Sequence, residues 1–220
     1  MAKPENTSAE KQDNYKTMLV QTRPLFLSCD QEAMIRKFDL QQDESFLYLR
    51  FCGRDYRIGR RDGIAWWTED GSAWVEAGYN DSMTLYDILG YSKPGCRLSG
   101  DYAPSSSLKG IVYTGMNAGS AMGPNKTAEF FDANFDRLAA ACEALGGATE
   151  GKGDLAYRLP LFDFLPIRFC FWRADEDFPP EIRILWDTNV LSFLHFETLF
   201  FAAGHLLRRL EEEIRKKTAE

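Results

Sequence analysis

Seven side chains in the last third of the sequence carry groups from which a site can be built. Asp175, Glu176 and Asp177 are three successive acids, Trp172 lies just before them, and Asp187, His195 and Glu197 follow. Clustered carboxylate oxygens suit a hard divalent cation such as Mg²⁺ or Ca²⁺. A carboxylate pair, Asp175 or Asp177 with Asp187 or Glu197, suits general acid–base hydrolysis or elimination once one member is held protonated. An aromatic wall edged by acids suits the simpler task of holding a small molecule or a protein partner in a cleft. No nucleophile–base pair and no metal-ligand spacing accompanies these residues, so non-catalytic binding is the first expectation and a carboxylate-pair hydrolase or lyase the second. Adjacent acids in a turn are also commonly just solvated, and that plain reading stands beside both.

The elements that must position these groups lie between Leu159 and Leu207. Ile167 to Trp172 is aromatic and β-branched and bounded by Pro166, which predicts a buried strand; Ile182 to Trp186 alternates with Arg183 and predicts a second. Between them Pro179 and Pro180 have no N–H to donate, so the sheet cannot continue and the acids must stand at its end. After Trp186, Asp187, Thr188 and Asn189 offer helix N-caps and the period changes to 3.6. Projected from residue 193, the residues Phe196, Leu199, Phe200, Ala203, Leu206, Leu207 and Leu210 share an apolar arc. Glu197, Thr198, His205, Arg208 and Glu212 share the opposite one, with Leu194 and Phe201 intruding and His195 at the border. The polar arc is expected to face solvent; if Leu194 and Phe201 mark it as covered, Glu197 becomes a half-buried or paired carboxylate. About 12 Å of helical rise separates Glu197 from His205, too far to share one metal.

The 220 residues suffice for one sizeable core, and 45% hydrophobic content with sixteen Phe and five Trp places the chain among globular proteins. A formal charge of −7 argues against nucleic acid as a partner. Arg54, Arg57, Arg60 and Arg61 are the local exception, a strip on which an acidic partner can dock. Met1 to Asp13 has no signal-like apolar segment and no run reaches bilayer length, so no membrane association is expected. The cysteines, Cys29, Cys52, Cys96, Cys142 and Cys170, are odd in number and widely spaced. They predict reduced thiols in a cytoplasmic protein and supply neither a zinc nor an iron–sulfur ligand set.

In chain order, residues 1 to about 12 read as a disordered leader. A helix is expected from Asn14 to Phe26, kinked or ended near Pro24, and a short one capped by Asp30. Phe46 to Phe51, Tyr56 to Ile58, Ile64 to Trp67 and Ala73 to Ala77, separated by turns that include Asp62-Gly63 and Asp70-Gly71, predict an antiparallel meander. Trp66, Trp67 and Trp74 are expected in core or cross-strand positions. Asn80 or Asp81 should cap a helix ending near Gly90. Residues of about 92–126 are rich in Gly, Ser and Pro and predict a long loop, a lid or a mobile segment, with Ile111 to Tyr113 as its one short strand and no phosphate-cradle spacing. Thr127 to Leu145 repeats Phe131, Phe135, Leu138, Cys142 and Leu145 at helical spacing and stops at Gly146-Gly147, which makes Cys142 a structural thiol. The fold class that follows is α+β: one domain over residues 13–216, its mainly antiparallel sheet covered on one face by amphipathic helices at Thr127 to Leu145 and Phe193 to Lys216.

Cys142 to Gly147 (CEALGG), Gly153 to Tyr157 (GDLAY), FLPIRFCFWRADEDFPP and ILWDTNVLSFLHFET together resemble a family called domain of unknown function 3786, found mainly in anaerobic bacteria and archaea. The acid turn before Phe178-Pro179-Pro180, then Leu185-Trp186-Asp187 and Phe196-Glu197-Thr198, is the most specific part. Some relatives add an iron–sulfur segment with closely spaced cysteines, which this chain lacks, so no cluster is carried over. The resemblance implies a cytoplasmic protein serving anaerobic cofactor or corrinoid-linked metabolism. It assigns no activity and no cofactor.

Overall fold

The computed structural model describes residues 8–109 and 126–216. Helix α1 (Ser8–Leu27) and α2 (Gln31–Phe38) lead into the strands β1 (Gln41–Gln42), β2 (Phe46–Phe51), β3 (Arg54–Gly59), β4 (Ala65–Thr68) and β5 (Val75–Glu76). Asp30 caps α2 as expected, its carboxylate accepting the Ala33 N–H. The β2–β3 hairpin turns on Cys52 and Gly53, both left-handed (φ 48° and 72°), the geometry that two-residue hairpins need to match strand twist. Helix α3 (Tyr79–Tyr91) follows, then β6 (Tyr102–Pro104), α4 (Lys126–Ala133), α5 (Phe135–Ala144), β7 (Ala148–Thr149), β8 (Leu155–Phe162), β9 (Leu165–Trp172), β10 (Glu181–Asp187) and α6 (Phe196–Lys216).

The ten strands form one sheet in the order β5-β4-β3-β2-β8-β9-β10-β6, with β1 on β2 and β7 on β8, and every pairing is antiparallel. The two meanders meet along a short seam, where Phe51 pairs with Phe162 and the Cys52 N–H donates to the Leu161 carbonyl at 2.8 Å. The α+β class is therefore present, with strands from both halves in one layer.

Alternation decides what each face carries. Leu47, Phe51, Tyr56, Ile58, Phe169 and Phe171 are fully buried on one side, each large ring contributing roughly 1.5–3 kcal/mol. Helices cover that side: the His205 ring of α6 stacks on Phe51, and Phe131 of α4 meets Phe169 and Phe171 edge-on. Tyr48, Arg50, Asp55, Arg57, Arg158, Arg168 and Arg183, at positions of opposite parity, are exposed or half-buried.

Several elements differ from expectation for identifiable reasons. Helix α1 begins at Ser8 and runs through Pro24 to Leu27. A proline this close to the C-terminus removes only one helical bond, and the Pro24 carbonyl still accepts the Ser28 N–H at 3.0 Å. The expected helix over 127–145 is two helices, because the Asn134 amide donates to the Phe130 carbonyl at 2.8 Å and competes with the backbone ladder. Helix α3 is capped by Gly78, not by Asn80 or Asp81. A 3₁₀ turn, Val190–Ser192, defers α6 to Phe196, later than the expected Phe193. Strand β6 and a 3₁₀ turn at Ser105–Ser107 occupy part of the expected 92–126 loop. Its expected strand at Ile111 to Tyr113 lies outside the described residues, as does the start of the leader.

Candidate functional site

The structure places Trp172 and Asp175 together. They line a hollow of about 590 Å³ with Asp154, Arg173, Phe178 and Glu181. Asp175 Oδ1 accepts the N–H groups of Asp177 and Phe178 at 2.9 and 2.8 Å, so the carboxylate closes its own turn. Glu176 and Asp177 are exposed beside it. Among the described residues no three His, Cys, Asp or Glu side chains stand close enough to hold a metal.

The other predicted residues stand elsewhere. Asp187 ends β10, six residues beyond Glu181, which puts it about 20 Å from the acid turn by strand rise. It is fully buried and accepts from the Ser99 N–H and hydroxyl at 3.0 Å, Gly100 N–H at 2.9 Å and Asn189 N–H at 2.8 Å. Asp187 thus pins the approach to β6 onto β10 instead of capping a helix, and it does not face Asp175. His195 is exposed and stacks on Tyr91. Its Nδ1 lies 2.6 Å from Asp87 Oδ1 and its backbone N–H donates to Asp87 Oδ2 at 2.9 Å. Glu197 is exposed in the first turn of α6.

Sequence reasoning missed a buried polar cluster. Thr198, Ala202, His205 and Arg209 form a stripe on α6 at i, i+4, i+7 and i+11, and all four are buried. Asp81 of α3 accepts a hydrogen bond from the Tyr56 hydroxyl at 2.9 Å on Oδ2, and its Oδ1 lies 3.0 Å from His205 Nδ1 and 3.3 Å from Arg208 Nη2. Burial pushes the Asp81 carboxyl up, but His205, Tyr56 and Arg208 outweigh it and hold the group below the usual carboxylate value. Burial lowers the His205 imidazole despite the neighbouring Asp81 carboxylate. Burial and Asp81 raise the Tyr56 hydroxyl. A second network, two buried arginines with partly exposed carboxylates, lies further along α6. Arg54 meets Glu69 and, at 2.9 Å, Glu212; Arg209 meets Glu212 at 2.5 Å and Glu213 at 3.0 Å. These bolts position α6, and Tyr56 of the first also lines a cavity.

Another cavity, of about 580 Å³, has aromatic walls. Tyr48, Trp74, Phe38 and Phe164 line it together with Arg50 and Asp55. Arg50 Nε lies 3.2 Å from Asp55 Oδ1, so that pair is internally neutralised. Phe38 and Phe164 begin a ladder of rings: Phe38–Phe164 at 4.1 Å, Phe164–Phe162 at 5.5 Å, Phe162–Phe51 at 4.7 Å and Phe51–His205 at 4.4 Å, all within 17° of parallel. The cavity wall is thereby continuous with the buried cluster on α6.

The arginine strip expected at residues 54–61 is not one surface. Arg54 and Arg57 are three apart on β3 and so lie on opposite faces, Arg54 buried under α6 and Arg57 on the outer side, while Arg60 pairs with Glu32 at 2.6 Å.

No curated protein and no solved structure matches this chain. One family model does, over residues 30–209, which takes in every strand and all but the last turns of α6. The chain belongs to the family described as domain of unknown function 3786 (DUF3786).

Proposed function

We propose that this protein is a non-catalytic binding domain that holds a small planar molecule in the aromatic cavity beside Trp74. The observation that carries this reading is the cavity itself. A volume of about 580 Å³ lies in the range of small-molecule sites, which are mostly apolar with a few placed polar groups. Tyr48, Trp74, Phe38 and Phe164 supply stacking surfaces, and the Arg50–Asp55 pair supplies polar contacts, with the carboxylates of Asp39 and Asp163 also on the lining. Catalysis by paired carboxylates finds less support, since Asp187 is saturated by hydrogen bonds and stands far from Asp175.

The hollow at Trp172 and Asp175 favours a second role, contact with a protein partner, because Phe178 on its rim is 69% exposed. A reducing, cytoplasmic setting is supported by five free cysteines, of which Cys52, Cys142 and Cys170 are buried with thiols that burial pushes up. Among the described residues no helix is long and apolar enough to cross a membrane. The net charge of −7 speaks against nucleic acid. A link to anaerobic cofactor metabolism rests on the family resemblance alone.

Titration with the neutral planar fluorophore N-phenyl-1-naphthylamine tests the cavity. Saturable binding is expected, weakened about tenfold or more in Trp74→Ala and Phe38→Ala variants that keep the wild-type circular dichroism. Equal binding by wild type and both variants places the fluorophore elsewhere and defeats the proposal.

A further inference from the structure

We infer that Arg57 is an oxyanion-recognising residue at the edge of this cavity, so that the molecule bound is a planar anion bearing a carboxylate or phosphate. The inference rests on the cavity reading above and adds the charge of the ligand to it.

Arg57 is half-buried, and its guanidinium lies between two rings, 4.3 Å from the Phe46 centroid and 4.2 Å from the Trp74 centroid. Its Nε is shielded from solvent and has no hydrogen-bond partner among the described residues. Every other buried or half-buried arginine described has a carboxylate: Arg23 has Glu76, Arg54 has Glu69 and Glu212, Arg60 has Glu32, Arg168 has Glu150, and Arg209 has Glu212 and Glu213. Arg57 alone of this set has none.

Two acids near Arg57 are already engaged, while Asp39 and Asp163 also line the cavity. Asp43, which feels the field of Arg57, accepts the Tyr48 hydroxyl and the Ser45 and Phe46 N–H groups, each at 2.7 Å. Glu76, across β4 from the Arg57 row, is held by Arg23 at 2.7 Å. Stacking on two rings offsets part of the cost of sheltering a guanidinium from water, but ring faces satisfy none of its in-plane donors. Those donors form a planar fork matched to the two oxygens of a carboxylate or phosphate. Tyr48, the cross-strand partner of Arg57, and Trp74, the ring that covers it, both line the cavity. A ligand stacked there brings an anionic substituent to the edge of the Arg57 fork.

The test compares 8-anilinonaphthalene-1-sulfonate with N-phenyl-1-naphthylamine, which has the same ring system without the anion, on wild type and Arg57→Gln. The sulfonate probe should lose about tenfold in affinity in the variant, the scale of one charge-assisted hydrogen bond, while the neutral probe is unchanged. Arg57→Met repeats the comparison if Arg57→Gln does not fold. Displacement of the sulfonate by 1-naphthyl phosphate or by 1-naphthoate at concentrations about tenfold lower than 1-naphthol needs identifies which oxyanion is preferred. If both probes bind the variant as they bind wild type, or if 1-naphthol displaces as well as the anions, the anion inference falls and the cavity reading stands. If neither probe binds wild type, the cavity reading falls first and takes this inference with it.

Discussion

Asp81 Oδ1 and His205 Nδ1 lie 3.0 Å apart between α3 and α6, with the two residues only 8% and 2% exposed. The Tyr56 hydroxyl joins them from β3, so one carboxylate ties two helices to the sheet. Removing it in Asp81→Ala leaves buried partners without an acceptor and is expected to cost about 3–5 kcal/mol in urea unfolding. Asp81→Asn retains an acceptor oxygen and should cost less. A midpoint for Asp81→Ala close to wild type would mean that the cluster does not hold the helices.

The same pair sets an acid sensitivity. His205 has its folded value lowered, chiefly by burial, from an ordinary 6.5. Below that value the unfolded chain takes up a proton that the native imidazole refuses, so stability falls as pH drops through the window just under 6.5. Asp81 is held below its ordinary 3.8, and its contribution disappears only as pH falls past that lower range. Between about pH 7 and about pH 5 the His205 part should therefore dominate the difference between wild type and His205→Gln. Unfolding free energy should decline more steeply with acid in wild type; parallel curves would show that His205 takes no part.

How much of this was legible depends on whether the signal was local. Strands β9 and β10 were readable because β-branched and aromatic residues between prolines and acids have few alternatives. The α5 stop was readable because Gly146 adopts φ +81°, a conformation its neighbours avoid. His205 was not, because a helical projection sorts residues by type and cannot see that α6 touches both α3 and α5 as well as the sheet. Its only trace was the small-residue stripe of Thr198 and Ala202 below it. Asp187 was misjudged for a related reason: its partner Ser99 is 88 residues away. The opposite orientations of Arg54 and Arg57, by contrast, follow from strand parity alone. The aromatic cavity had no sequence signature, since Phe38, Tyr48, Trp74 and Phe164 come from four separate elements and turns.

Glycine positions give a stability test of opposite signs. Gly204 lies inside α6 and a Cβ there would meet nothing within 4 Å, so Gly204→Ala should gain about 0.5–1 kcal/mol from helix propensity. Gly153 has φ +142°, and a Cβ would come 2.7 Å from the Phe171 carbonyl oxygen. Gly153→Ala should lose more than about 1 kcal/mol, through backbone strain and displacement of β9. Thermal midpoints moving in the same direction for both would contradict the backbone described at one of the two sites.

The acid turn makes a definite prediction about metals. Asp175 Oδ1 already receives two backbone N–H groups of its own turn, Glu176 and Asp177 are exposed, and Asp187 is bonded at the other end of β10. A hard cation needs several oxygens converging on one point, and these do not converge. Millimolar Mg²⁺ or Ca²⁺ should therefore leave the thermal midpoint where it is. A site with a Kd tenfold below the added metal would contribute about 1.4 kcal/mol, or roughly 3–6 °C for a chain of this size, well above the error of a melting curve. A rise of that order, abolished by Asp175→Asn, would require the turn to rearrange around the ion and would return the three acids to the list of ligands.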